Sequence, residues 1–186
     1  MTADEAVVAL LDALHIAGIP YMIVGSLASN FHGIPRATRD ADFLVELPPG
    51  SLQRLDAMLP PDLNLDPQGS FEVVTGTTQY LVKLSGSPFV CELFVRGNDA
   101  HDQERFQRRQ RVRAFGRATS VASAEDMVIT KLRWAGEANR SKDRDDIRNI
   151  IAVQSSNLDW EYIHHWSAEH GTSSLLDEIR ASIPPL

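Results

Sequence analysis

A single cysteine, Cys91, stands among the 186 residues. That excludes a disulfide within the chain and a zinc site built from several thiolates. Lysine is almost as scarce: of 18 basic residues, 15 are arginine, so Lys83, Lys131 and Lys142 each invite a separate look. Acidic residues outnumber basic ones by 25 to 18, and the net charge of −7 argues against a general nucleic-acid coat and against a surface drawn to anionic lipid. The apolar N-terminal stretch from Ala6 to Leu14 contains Asp12 and lacks a basic flank. Neither a signal peptide nor a membrane span is expected, and a cytoplasmic setting is. There is no internal repeat, low-complexity stretch or long linker. The length suits one domain, or a catalytic domain with a small helical lobe.

The periodicity that is present organises the chain. Val7, Leu10, Leu11 and Leu14 recur at helical spacing, and Gly18 with Pro20 stops that helix near Ala17. Tyr21-Met22-Ile23-Val24 reads as a short buried strand that ends at Gly25 and opens into a helix from Leu27 to about Phe31. A second strand runs to Glu46, Pro48-Pro49-Gly50 breaks it, and Ser51 caps a helix carrying Leu52, Leu55 and Leu59 before Pro60-Pro61. From Phe71 to Val95, β-branched and aromatic residues punctuated at Thr75-Gly76 and Ser85-Gly86-Ser87-Pro88 suggest three strands, after which the sheet is expected to finish. Part of the arginine-rich stretch Arg105 to Arg117 reads as an edge strand. Helical texture follows, with a cap at Ser123-Ala124-Glu125-Asp126 before Met127 to Ala135, then Lys142 to Val153 and Asp159 to Glu169. The expected fold is α/β of the α+β kind, a small mixed β-sheet flanked by helices over residues 1–119, with a helical C-terminal lobe over 120–186 packed on it as one compact unit.

Chemistry concentrates in a few places. Gly25-Ser26 lies between a strand and a helix start, where unpartnered amides and the helix dipole attract anions. Gly25 allows close backbone approach to a phosphate and the Ser26 hydroxyl adds a hydrogen bond, although a Gly-Ser pair after a strand is also a plain capped turn. Farther on, Arg36-Ala37-Thr38-Arg39-Asp40-Ala41-Asp42-Phe43 places two carboxylates on one face of a strand, because side chains alternate with period two. Asp40 and Asp42 either share divalent cations or serve structure, Asp40 by capping a turn after Thr38 and Asp42 by pairing with Arg36 or Arg39. Glu92 is the lone charge in Val90-Cys91-Glu92-Leu93-Phe94-Val95. It either completes a set of hard oxygen ligands suited to magnesium or manganese, or pairs with Lys83 or an arginine. Glu72 is the rival third acid. In the helical lobe Lys131 precedes Asp143 and Asp146, which share a helix face. They either meet a triphosphate or belong to an exposed mixed-charge helix. His164-His165, Trp160 and Trp166 are assigned to helix surface and core, and Cys91 to sheet packing.

In order, Gly25-Ser26, Arg36-Ala-Thr38-Arg-Asp40-Ala-Asp42-Phe, Lys131 and Arg140-Ser-Lys142-Asp143-Arg-Asp-Asp146-Ile147 resemble the AbiEii-type toxin nucleotidyltransferases of the DNA polymerase β-like superfamily. The resemblance spans roughly residues 5 to 150. It implies a nucleoside triphosphate and Mg2+ (or Mn2+) held at the Gly-Ser turn and the Asp-x-Asp strand. Gly25, Ser26, Arg36, Thr38 and Lys131 would attend the nucleotide. Asp40, Asp42 and Glu92 would bind metal, and Lys131, Asp143 and Asp146 would form the lobe side of the catalytic set. Ser26 replaces a frequent second glycine, Glu92 stands where Asp is usual, and the gap from Gly-Ser to Asp-x-Asp is long.

The expected activity is transfer of a nucleoside monophosphate from a nucleoside triphosphate to an acceptor hydroxyl, with a carboxylate such as Glu92 helping to deprotonate the acceptor. RNA or tRNA is the acceptor that the arginine stretch suggests, and protein is the other; an antitoxin partner would accompany a toxin role. The alternative is an inactive nucleotidyltransferase-fold binding subunit. An antibiotic-modifying enzyme is a weaker third, for want of an acidic pocket signature.

Overall fold

The computed structural model describes residues 1–73, 76–138 and 141–184. Thr75 of the expected Thr75-Gly76 turn and Arg140 of the Arg140-Ser141-Lys142 motif lie outside the described residues. The chain divides into two compact units, one of Met1–Leu27 with Ala37–Val121, the other of Ala28–Arg36 with Ala122–Leu186. Nothing in the sequence marks Ala28–Arg36 as belonging with the C-terminal helices. Among the described residues, no helix is long and apolar enough to cross a membrane.

The first unit begins with α1 (Ala3–Ile16), started by a capping box in which Thr2 and Glu5 satisfy each other's backbone amides. Its apolar stripe of Val7, Leu10, Leu11 and Leu14 is buried, and Gly18, at φ +65°, turns the chain out of the helix. Next come β1 (Tyr21–Ile23), the start of α2 (Gly25–His32), β2 (Asp40–Val45) and α3 (Ser51–Met58). Gly50 is the residue before α3, at φ +78°, while the Ser51 hydroxyl donates to the Pro48 carbonyl, so Ser51 is not the cap that the sequence suggests.

The sheet continues through β3 (Leu63–Glu72), β4 (Thr77–Leu84) and β5 (Val90–Val95), and it does not finish there. After α4 (Ala100–Gln107), β6 (Gln110–Ala114) and β7 (Arg117–Val121) form a hairpin in the same sheet. Its two-residue turn holds Phe115 at φ +52° and Gly116 at φ +72°. Two successive positive φ values define the turn whose twist suits a hairpin, and a phenylalanine in the first of those positions hides it from a reading of composition. Part of the Arg105–Arg117 stretch is an edge strand as expected, since Arg111 and Arg113 lie on β6 at the end of the strand order, whereas Arg105 is buried on α4 and bonded to Asp102 at 2.7 Å. Among the described residues the seven strands run in the order β3-β4-β5-β2-β1-β7-β6. β2 with β5, and β1 with β7, are parallel, and the other neighbours are antiparallel, so the sheet is mixed. One face supplies the core: Ala41, Phe43 and Val45 of β2, Cys91 and Leu93 of β5, and Val82 and Leu84 of β4 are buried together. Burying these alternate residues is what aims their polar neighbours at the opposite face.

Among the described residues the second unit holds the end of α2 and four α-helices, α5 (Ala124–Ala138), α6 (Ser141–Gln154), α7 (Trp160–Glu169) and α8 (Ser173–Ala181), the last without a counterpart in the sequence reading. Ser123 Oγ accepts from the Asp126 N–H at the start of α5, and Tyr162 Oη donates to Asp126 Oδ1 at 2.8 Å, tying α5 to α7. Ile129, Tyr162 and Trp166 pack together in its core.

Candidate active site

Two carboxylates occupy alternate positions at the start of β2 because Ala41 and Phe43 between and beyond them are drawn into the core. Asp40 and Asp42 are half-buried, whereas Ala41 and Phe43 are fully buried. Asp40 is oriented by Thr38, whose hydroxyl donates to Asp40 Oδ1 at 2.6 Å. The β1–β2 ladder extends one step past β1, with the Val24 N–H donating to the Asp42 carbonyl at 2.9 Å. Gly25 then breaks the strand at φ +59°. A β-carbon on Gly25 would stand 1.7 Å from Asp42 Oδ2, so the turn and the carboxylate meet only because residue 25 has no side chain. Ser26 follows at the start of α2 and is 7% exposed.

Glu92 reaches the same place from β5. The parallel register sets it directly beside Asp42 and sets Val90 beside Asp40, so the three acids share one face of the sheet. Gln79 of β4 donates to Glu92 Oε2 at 2.6 Å. Lys83 pairs with Asp66 at 2.9 Å. Gln79 went unnoticed in the sequence, where the alternation of β4 was the one signal that it shares a face with Glu92. Glu72 ends β3 opposite Thr77, two strands away from Glu92. Cys91 points the other way: burial first, then the nearby charge of Asp42, push its thiol up to about 12.

Hard carboxylate oxygens from two neighbouring strands, with a side-chain-free turn against one of them, suit a divalent cation and a phosphate. As they stand, among the described residues no three His, Cys, Asp or Glu side chains converge closely enough to hold an ion. Asp40, Asp42 and Glu92 are the carboxylates of this face that could hold a divalent cation.

The second unit carries its own charged cluster. Lys131, 5% exposed on α5, donates to Asp143 Oδ1 at 2.9 Å and lies 2.8 Å from Asp146 Oδ2, both on α6. Arg36 meets Asp146 with two parallel bonds, Nε to Oδ1 and Nη2 to Oδ2, each 2.8 Å. Asn30 fixes the Arg36 backbone through its amide, at 2.7 and 3.0 Å. Burial opposes the charge of Asp146, yet the Arg36 hydrogen bonds and the Lys131 ammonium outweigh it, and the carboxyl sits below its ordinary value. The cluster is buried and internally neutralised rather than an exposed mixed-charge helix face.

No protein-family model matches the sequence, and no curated protein matches it significantly. Solved structures do match over nearly the whole chain. The antibiotic-resistance factor ANT(2'')-Ia is 14% identical, with 96% of each chain covered and a TM-score of 0.63. A candidate nucleotidyltransferase from H. pylori is 17% identical, covering 96% of this chain and 78% of its own, with a TM-score of 0.58. An antigenic nucleotidyltransferase-like protein from Paracoccidioides brasiliensis is 20% identical, covering 99% and 95%, with a TM-score of 0.54. A seven-stranded mixed sheet flanked by helices, shared with these structures, gives this chain the nucleotidyltransferase fold.

Proposed function

We propose that the protein transfers a nucleoside monophosphate from a nucleoside triphosphate to an acceptor hydroxyl. The observation that carries this reading is the meeting of Gly25 and Asp42, which brings an anion-accepting turn against the Asp40–Asp42 face with Glu92 in register beside it. Magnesium or manganese held by Asp40 and Asp42 would draw charge from the triphosphate and the leaving pyrophosphate. The chain's own residues do the rest. Gly25 lets a phosphate approach the backbone and Ser26 adds a hydroxyl donor. Thr38 fixes the Asp40 carboxylate, and Glu92 takes the acceptor's proton as the new phosphoester bond forms and pyrophosphate leaves. Lys131, Asp143 and Asp146 enter this reading as a charged cluster in which the ammonium would exchange a carboxylate for phosphate.

The acceptor in this reading is an RNA or tRNA end or a protein hydroxyl, and the ordered motifs support a toxin role of AbiEii type with an antitoxin partner. A second reading is a nucleotide-binding subunit without turnover, favoured by the Gln79 amide that already occupies Glu92. Incubation with each labelled triphosphate, magnesium, and total cell RNA and protein separates the two. Transfer expects labelled product and pyrophosphate; their absence with retained triphosphate binding leaves the second reading standing.

A further inference from the structure

The first unit holds a concavity at the end of β1 remote from Gly25. It is a cleft of about 580 Å³ whose lining includes Leu14, His15, Ile19, Tyr21, Arg109 and Arg111. Its size falls in the range of small-molecule sites. Among the described residues that line it none is acidic, although the chain as a whole carries −7. The helix ends that would repel an anion are already engaged. At the end of α1, the Leu14 and His15 carbonyls accept from the Ile19 and Gly18 amides at 2.9 and 3.1 Å. At the end of α4, the Phe106 carbonyl accepts from the Arg109 guanidinium, which also lies over the Phe106 ring, 4.3 Å from its centroid. Arg109 is thus held in a fixed plane before any ligand arrives. Arg111 is exposed on β6 opposite Ser120 of β7, and His15 is exposed at the end of α1.

We propose that this cleft binds the phosphate of a nucleotide, at a site separate from the Gly-Ser turn. Guanidinium groups present forked donors that match phosphate oxygens, and Arg109 and Arg111 supply two of them with His15 beside them. The apolar floor of Leu14, Ile19 and Pro20 and the ring of Tyr21 accept the sugar and base. This charge and shape fit a nucleoside monophosphate, whether free or as a unit of an RNA strand. The site does not depend on the transfer reading, because none of its residues belongs to the carboxylate face.

Calorimetric titration of the full chain in excess chelator tests it, with 5'-mononucleotides in one arm and a short oligoribonucleotide in the other. One saturable site per chain is expected, weakened about tenfold or more by Arg111→Gln and unchanged by Asp42→Asn. His15→Gln is the second variant and weakens binding in the same direction, so a folding defect in either one leaves the test intact. Tighter, steeply salt-dependent binding of the oligoribonucleotide identifies a strand as the source, and equal binding identifies the free nucleotide. Absence of saturable binding in both arms, binding indifferent to both variants, or binding lost in Asp42→Asn would each overturn the proposal.

Discussion

Gly25 lies against Asp42 so closely that an added β-carbon would fall 1.7 Å from Oδ2, 2.5 Å from Cγ and 2.8 Å from the Asp42 β-carbon. Since the last of these is next to the backbone, the aspartate side chain has no way to swing clear. Gly25→Ala combines this overlap with a residue at φ +59°. It is expected to cost about 1–3 kcal/mol in urea denaturation and to abolish triphosphate binding. A variant that binds triphosphate as the parent does would dissociate the turn from the carboxylate face.

Asp42→Asn keeps the shape of the side chain and removes its charge. Turnover that depends on a divalent cation is expected to disappear while the thermal unfolding midpoint stays near that of the parent. Unchanged turnover would refute the assignment of the metal to this face.

Removing Lys131 strands two buried carboxylates, of which Asp146 retains Arg36 but Asp143 has an oxygen that is already without a partner. Lys131→Met is expected to lower stability by about 3–5 kcal/mol. Combined with Asp143→Leu, the loss is expected to be smaller than the sum of the two single changes, which a double-mutant cycle in urea measures. Additivity would show that the ammonium and Asp143 do not act as a pair.

Acid is expected to loosen the second unit in two steps. His32 is buried, with Nε2 2.7 Å from the Ala122 carbonyl, an acceptor that requires the nitrogen to carry a proton and donate. Burial holds the ring below its ordinary value of 6.5, against the opposing pull of the Ala122 bond and Glu125. Because the unfolded chain takes up the proton first, the stability that the neutral ring contributes is present above pH 6.5 and is lost as pH falls toward the folded value. Asp146 is also lowered, so its contribution is present above its unfolded value of 3.8 and is lost as pH falls through the folded one. Urea midpoints from pH 7.5 to 3 follow both steps. His32→Gln is expected to flatten the first and leave the second, and an unaltered first step would remove His32 as its source.

The Cys91 thiol, at about 12 and 1% exposed, is expected to resist alkylation at pH 8 in the native protein and to react once urea unfolds the chain. Rapid labelling without urea would contradict its place in the sheet core.

Local features were legible wherever a short-range period or cap encodes them. α1, the short strand before Gly25, the start of α5 and the alternation of Asp40 with Ala41 could all be read from neighbouring residues. β6 was legible as an edge strand, but β7 and the turn that joins them escaped because that turn uses Phe115 in a conformation that composition does not announce. α4 escaped because its one arginine, Arg105, merges into the arginine-rich stretch that runs on into β6; the helix shows only once Asp99 is seen to cap it, its side chain accepting from the Asp102 amide at 2.9 Å.

By itself, then, the sequence determined that two carboxylates share a strand face and that a glycine can bring backbone close to an anion, since both follow from the geometry of single elements. Only the tertiary structure decided that Glu92, fifty residues beyond Asp42, stands in register with it, and that the Gln79 amide donates to it. It alone decided that Lys131, Arg36, Asp143 and Asp146 neutralise one another. Strand register and the pairing of buried charges are settled by which distant surfaces exclude water together, and no local period in the chain carries that information.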